Sequence, residues 1–435
     1  MFDERLRSHH DAEHTLDTLL GRPKGHLNRV FNMKPWTAVT KKLSLPPPPP
    51  EKSGNTDRGI YIHVPHCDKL CSFCGLNRKE RKNTDLDAYA GYIAEEIKAF
   101  GAFPYIREAP FNSVYFGGGT PTVFTVGQFA LVFDALRRHI PLADDCEITV
   151  ESTQHNLDAE KARTLAEFGV NRFSIGIQTF SDRGRKILGR TYGGEKAYDE
   201  LLSLRAALDG TLCIDIIYSY PDQSIEEIEQ DAEICVSSGI DSVSFYSLMV
   251  NKGSALARSI EAGETRFVRD IESDRERHNI FYNRLTAAGF TLLELSKLVR
   301  PGRDAYKYIQ IQYGNGDLVP VGSGAGGRLA GFGIYSMSPG RRFVSPLGAE
   351  YAIYYRMLGE LQFGLYDPAR LARFLGPAAE QAIVEKAREL SGPGFLVQDG
   401  SGWRLTPDGV FWGNNIAVEV LKAAIGAKKG KKTHA

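Results

Sequence analysis

From residue 59 onward, short runs of β-branched and aromatic residues recur along the chain: GIYIHV (59–64), SVYFG (113–117), EITVES (147–152), RFSIGIQ (172–178), LCIDIIY (212–218) and SVSFYSL (242–248). Runs of this kind predict strands. Between them, Leu86–Phe103, Val126–Ile140, Asp158–Phe168 and Ile225–Ser237 carry apolar residues at helical spacing. Strand and helix therefore alternate six times, which implies parallel strands joined by right-handed crossovers, in a doubly wound sheet or a full or partial barrel. After residue 250 the pattern loosens into a Gly-rich stretch, VGSGAGGRLAGFG (321–333), then helical segments, a small hairpin, FLVQDGSGWRLTP (395–407), and a closing helix. Residues 1–50 show little apolar periodicity and end in Pro46 to Pro50, a stiff polyproline II linker. The division this predicts is an extension and linker over 1–50, an α/β barrel over 51–290, and a C-terminal domain covering the substrate over 291–435. The basic end KKGKK (428–432) is expected to be a frayed, solvated tail.

Charge and composition narrow the classes of function. Lys plus Arg and Asp plus Glu are each 53, so no global basic field exists to attract nucleic acid or an anionic membrane. With 42% hydrophobic and 24% charged residues, bulk disorder and fibrous repeats are excluded. No apolar run approaches the ~18 residues of a membrane span, and MFDERLRSHHDAEH lacks the apolar core of a signal peptide. A cytoplasmic location is the expectation. Six cysteines are too few for a disulfide scaffold, and three of them crowd together as Cys67, Cys71 and Cys74.

The distinctive residues fall where strands end, the place where barrels carry their chemistry. The cysteines follow the first strand and Gly117 to Gly119 end the second. Glu151, Gln178 and Asp215 lie in or at the ends of the third, fourth and fifth. Three thiolates in one tight loop leave one position open. A structural zinc would recruit His63 or His66 as fourth ligand, whereas an iron-sulfur cluster on three thiolates keeps one iron free for a substrate or cofactor. The glycines admit close approach to backbone, or form only a turn. Glu151, Gln178, Arg190 and Asp215 are polar groups on or beside apolar strands, forming either an internal ion-pair network or a ligand site. Cys146, Cys213 and Cys235 sit in apolar patterns as small core residues.

The segment YIHVPHCDKLCSFCG resembles the opening of the radical SAM superfamily, with Phe73 just before the last cysteine. More specifically, the series Tyr61, His63, Pro65 and Cys67 is similar to the Tyr-x-His-x-Pro-x-Cys pattern of the oxygen-independent coproporphyrinogen III oxidase-like family. The resemblance continues through GGGTP (Gly117 to Pro121), Glu151, IQTF (Ile177 to Phe180), Arg190, CIDIIYSYP with Asp215, and GWRLTPDGVFWGNN. It implies a partial (β/α)6 TIM-like barrel with an N-terminal extension and a small, mostly helical C-terminal domain. It also implies a 4Fe-4S cluster on Cys67, Cys71 and Cys74, and S-adenosyl-L-methionine (SAM) held by Tyr61, Phe73, Gly75, Gly118, Gly119, Thr120, Glu151, Gln178, Arg190 and Asp215. Tyr61 and His63 would take catalytic roles, and a flavodoxin or ferredoxin type of low-potential donor would supply the electron that splits SAM into methionine and a 5'-deoxyadenosyl radical.

Three branches of that family differ just after the cluster loop. Leu76 stands where the decarboxylases usually carry a further cysteine, and Gly75-Leu76 where the haem-chaperone-like branch has an acidic residue and Phe. FYSLMVNKGSALARSIEAGE (245–264), DLVPVGSGAGGRLAGFG (317–333) and LTPDGVFWGNN (405–415) are similar to the anaerobic haem-utilisation, anaerobilin synthase-type branch. This resemblance implies a haem or related porphyrin substrate, methyl transfer with opening of the ring, and iron release. Decarboxylation of coproporphyrinogen III, or a haem chaperone retaining a SAM site, are the alternatives. For propionate groups, Lys34 and Arg328 are candidate cations. His9, His10, His14 and His26 are either iron ligands or surface residues.

Overall fold

Two-residue periodicity decides which way each strand faces. The computed structural model describes residues 2–22, 34–47, 57–82 and 84–430. The six predicted strands form as β1 (Arg58–Val64), β2 (Phe111–Gly118), β3 (Leu142–Thr153), β4 (Arg172–Gln178), β5 (Thr211–Tyr218) and β6 (Ser242–Ser247), parallel neighbours in that order. Ile60, Ile62, Phe116, Val150, Ile175, Ile214 and Val243 are buried in one apolar cluster beneath the crossover helices. The alternate positions, among them Tyr61, Tyr115, Glu151, Arg172, Asp215 and Ser244, belong to no apolar cluster and face the lumen. The barrel is thus greasy outside its wall and polar within.

The predicted helices form as Leu86–Gly101, Val126–His139, Ala159–Glu167 and Ile225–Ser237. Their starts are set by side chains that accept from free amides: Asp85, Thr125, Asp158 and Ser224 are N-caps, and Thr125 with Gln128 and Ser224 with Glu227 make capping boxes. A partial six-stranded barrel with extensions is therefore the architecture, as expected.

The sheet does not stop at residue 290. On one edge β7 (Thr291–Glu294) and β8 (Lys297–Val299) run on, with β8 antiparallel to β6. On the other edge β9 (Asp317–Val321) lies parallel to β1, followed by β10 (Gly326–Leu329), β11 (Phe332–Ser338) and β12 (Arg341–Pro346), giving twelve strands in all. The boundary expected near 290 falls inside this sheet, and the Gly-rich stretch is largely strand. Its glycines allow close approach, since a Cβ on Gly327 would lie 2.2 Å from the Leu318 carbonyl oxygen.

Residues 304–308 enter the lumen from below. Arg172 grips Asp304 through two hydrogen bonds of 3.0 and 2.9 Å, and the Tyr308 ring stacks on Tyr115 at 4.3 Å between centroids. Glu147 accepts from the Lys307 and Tyr308 amides. This segment forms the floor of the site above it.

The N-terminal region is not a featureless extension. It forms helices His9–Leu19, capped by Ser8 and Asp11, and Thr37–Leu43. The first buries Ala12 and Leu16 against the helices Ala349–Leu361 and Gly413–Gly430, so it belongs with the C-terminal layer. Two buried apolar anchors in eleven residues gave too weak a period to read from sequence. The hairpin appears as Leu396–Asp399 and Gly402–Leu405. His26, Pro48 to Pro50 and the last residues of the basic tail lie outside the described residues. No helix among the described residues is long and apolar enough to cross a membrane.

Candidate active site

A cavity of about 440 Å³ opens at the C-terminal ends of the parallel strands, a size suited to a small ligand. Cys67, Cys71 and Cys74 line it, together with Phe73, Gly75, Gly118, Gly119, Thr120, Glu151, Gln178, Arg190 and Asp215. Residues spread over 149 positions of sequence are brought together because all but Arg190 sit at, near or in the loop after the end of a strand, and Arg190 follows the short helix Asp182–Ile187 beyond β4.

The cysteine loop is held by backbone and neighbouring hydroxyls. Ser72 donates to the Ile187 carbonyl at 2.6 Å, and Thr120 Oγ1 approaches Cys67 Sγ at 3.5 Å. Burial pushes the Cys67 thiol up to about 11, and a cation such as iron beside it would favour the thiolate. Among the described residues no three His, Cys, Asp or Glu side chains gather closely enough to share a single ion. Thiolates that each take a different iron of a cluster need no such convergence. The two histidines that could complete a zinc site are directed elsewhere: His63 bonds the Tyr61 hydroxyl through Nδ1 and the Asn77 carbonyl through Nε2, each at 3.0 Å, and His66 lies edge-on to Tyr89.

The opposite wall is built to receive polar groups. Tyr115 donates to Glu151 Oε1 at 2.6 Å and the Gly118 amide to Oε2 at 3.3 Å, yet burial dominates and raises the Glu151 carboxyl to about 7. Asp215 is likewise pushed up by burial, opposed by the charge of Lys297 and a hydrogen bond from Ser244. Tyr246 donates to Asp215 Oδ1 at 3.3 Å. Arg190 donates from Nη1 to Cys71 Sγ at 3.1 Å and from Nη2 to the Gly176 carbonyl.

Two buried polar atoms in this wall have no protein partner: Gln178 Oε1 and Arg190 Nε. Gln178 also has φ 80, left-handed for a residue with a side chain, at a register shift between β4 and β5. Gly118 has φ 117, and a Cβ there would meet the His63 ring at 2.6 Å. Three thiols on one wall, orphaned donor and acceptor atoms on the other, and glycine backbone between them fit a thiolate-bound cluster beside an amino-acid-bearing nucleoside.

Of the residues expected from sequence, all the cluster ligands and all the SAM ligands except Tyr61 line this cavity. Tyr61 and His63 do not. His63 is 5% exposed and stands behind Gly118, with Tyr61 beneath it among Tyr115 and Tyr308, so neither catalytic assignment is supported by access. Lys34 and Arg328 do not reach the cavity either. Arg328 is turned onto the Tyr355 ring and donates to the Gln312 carbonyl, while Lys34 bridges to Val344. His9 is packed at 4.5 Å from the Tyr313 ring, far from the cysteines in the fold, and burial lowers it to about 4. His10 and His14 lie on the same helix, outside the cavity lining. Cys146, Cys213 and Cys235 are buried. Sequence reading missed Tyr246 and Ser247 at the end of β6, and Met249 and Asn251 just after it, all of which line the cavity. Their place at and just after the end of the sixth strand was the available signal.

The site defines a class. Residues 61–235 match the radical SAM superfamily, a match that implies a 4Fe-4S cluster and SAM. The relatives within that class are distant ones. Anaerobilin synthase of Escherichia coli O157:H7 is 33% identical over 279 residues, which cover 63% of this chain and 62% of that protein. The heme chaperone HemW of Lactococcus lactis is 26% identical over 373 residues, 83% of this chain and 96% of that one. Among solved structures, coproporphyrinogen III oxidase (HemN) from Escherichia coli, described as a radical SAM enzyme, superposes with a TM-score of 0.73 at 20% identity over 89% of this chain and 93% of that chain, which shows a shared fold.

Proposed function

We propose that the protein is a radical SAM enzyme acting on a tetrapyrrole. The observation that carries this reading is the two-sided make-up of the cavity. Around its mouth Leu70, Leu76 and Met249 are 38%, 65% and 47% exposed, beside Lys69 and Arg78, while its depth is lined by Glu151, Gln178, Arg190 and Asp215. A flat apolar macrocycle with carboxylate arms suits the rim, and a polar cofactor suits the depth. The likeness to an anaerobilin synthase and to the heme chaperone HemW supports the same reading.

When bound, cluster and SAM together would supply a 5'-deoxyadenosyl radical by one-electron cleavage of the sulfonium. The chain's own residues would do the rest. Cys67, Cys71 and Cys74 would hold the cluster. Arg190 would pair with the amino-acid carboxylate, and Glu151 and Asp215 would accept from ribose hydroxyls. Gly118 and Gly119 would leave backbone open to the amino group. Tyr306 and Tyr308, whose rings contact each other and Tyr115, would close the base of the site.

Among finer readings, likeness along nearly the whole length of the heme chaperone HemW favours handling of an intact macrocycle as in haem carriage, and decarboxylation of coproporphyrinogen III is the enzymatic counterpart of that reading. Ring opening of haem with methyl transfer is the second reading, favoured by the 33% identity to anaerobilin synthase and by Leu76 in place of a further cysteine. The test is anaerobic incubation with methyl-labelled SAM, a low-potential reductant, and coproporphyrinogen III or haem in parallel. Loss of carbon dioxide from the porphyrinogen selects decarboxylation, and bound haem with an intact Soret band selects carriage. Bleaching with free iron and a labelled linear product selects ring opening. SAM cleavage with neither tetrapyrrole bound nor changed overturns the proposal.

A further inference from the structure

Lys297 is 2% exposed, inside the barrel, and no part of the cavity lining. A charged amine in such a place is costly unless it serves another group. It opens β8, directly opposite Ser244 on β6, which is in turn opposite Asp215 on β5 and Gly176 on β4. Four residues on four adjacent strands thus form one row across the lumen wall. Lys297 Nζ donates to Ser244 Oγ at 2.5 Å and to Cys213 Sγ at 2.9 Å, and lies 4.9 Å from the centre of the Tyr306 ring.

The other buried cation of the lumen, Arg172, is already committed to Asp304. Lys297 has no carboxylate within 4.0 Å among the described residues, so its charge acts across Ser244 rather than in a structural ion pair. Three acids feel it: Asp215 above, Asp304 on the floor, and Glu294 on β7. Asp304 has its arginine and a Ser242 bond at 2.5 Å, and Glu294 is occupied by the Ser296 hydroxyl at 2.7 Å. Asp215 alone of the three borders the cavity. The groups facing it are Glu151 from β3, Arg172 from β4, and Ser244 and Tyr246 from β6, and the nearest lysine charge is that of Lys297.

We propose that Lys297 is a positioning residue, which acts through Ser244 to hold the Asp215 carboxylate as a fixed hydrogen-bond acceptor for hydroxyl groups of the ligand in the cavity. This deepens the reading of the cavity as a SAM site and rests on it. Lys297 touches no ligand itself. Its effect is electrostatic and passes along one row of the sheet in a medium where charge is poorly screened.

The experiment uses full-length, anaerobically reconstituted protein and measures SAM dissociation constants by calorimetry from pH 6.0 to 8.5, each variant taken as a ratio to wild type at the same pH. That ratio cancels the titration of Glu151. Lys297→Met should weaken SAM binding roughly tenfold at pH 6.0, with the deficit shrinking toward pH 8.5 as Asp215 regains its charge. Lys297→Arg should restore a ratio that is flat with pH. Ser244→Ala, which keeps both charges and breaks the link, should show the same slope at smaller amplitude, and thermal melting should report all three variants folded. A deficit equal at every pH, or none, overturns the inference. Asp215→Asn tests the reading underneath: normal SAM binding there removes Asp215 from the site, whereas lost binding there with an unaffected Lys297→Met removes Lys297 alone.

Discussion

Tyr115 on β2 donates its phenol to Glu151 on β3 at 2.6 Å, and this bond fixes the carboxylate over the cavity without preventing burial from raising it to about 7. A carboxyl with a raised folded value binds more protons folded than unfolded, so its ionisation lowers stability as pH climbs from about 4.5 through about 7. Glu151→Gln should therefore gain in melting temperature relative to wild type across that window, with little further change above it. SAM affinity of the wild type should rise over the same interval, because only the ionised carboxylate has its full accepting capacity. Calorimetry at pH 6 and pH 8 checks both.

Cluster assembly should depend on three cysteines and not on the others. Cys67→Ala, Cys71→Ala and Cys74→Ala should each lose bound iron and sulfide, and with them 5'-deoxyadenosine formation. Cys235→Ala, a change in a fully buried apolar site, should keep both. Iron content after anaerobic reconstitution is the measurement.

Arg190 carries an unpartnered Nε beside the cavity. Removal of its charge in Arg190→Met should cost ~1.5–3 kcal/mol of SAM binding, or about one to two decades in dissociation constant. Arg190→Lys should recover only part of this, since a point charge does not reproduce a planar fork. A titration with S-adenosylhomocysteine in parallel tests whether the loss follows the shared amino-acid end.

The floor should be the costly place to disturb. Arg172 and Asp304 are 1% and 0% exposed at their side chains and hold each other through two bonds. Asp304→Ala alone should destabilise the fold by about 3–5 kcal/mol by stranding the guanidinium, and Arg172→Met with Asp304→Ala should be less harmful than the sum of the two single changes. Urea unfolding of the four proteins in the cycle reads this directly.

The alternation of apolar and polar residues made the barrel legible from sequence. Ile60, Ile62 and Val64 alternate with Tyr61 and His63, and each later strand repeats the scheme, so strands and crossover helices were placed within a few residues. The cavity was legible because its residues sit at strand ends, where chain position and spatial position coincide. Three features were not legible, each for a physical reason. The floor segment, Asp304 to Tyr308, has neither period and gains its shape from partners on β2, β3, β4 and β6. Helix His9–Leu19 has too narrow an apolar stripe to declare itself without the helices it meets. Lys297 looks in sequence like a lysine at a strand end, and only the register across β5, β6 and β8 turns it inward.

Asn415 accepts from the Asp3 amide and donates to the Leu6 carbonyl, joining residues as many as 412 positions apart. The same arrangement recurs inside the sheet, where β1 waits for β9 before its second edge is covered. Such a chain cannot mature piece by piece as it leaves the ribosome. Until residues 317–321 emerge β1 offers an open edge, and until the last helix emerges the first helix offers an unmatched apolar stripe, both of which invite pairing with other chains. Expression at low temperature or with abundant chaperones should raise the yield of material able to take up iron, and truncation of the final helix should harm solubility before it harms the cysteine loop.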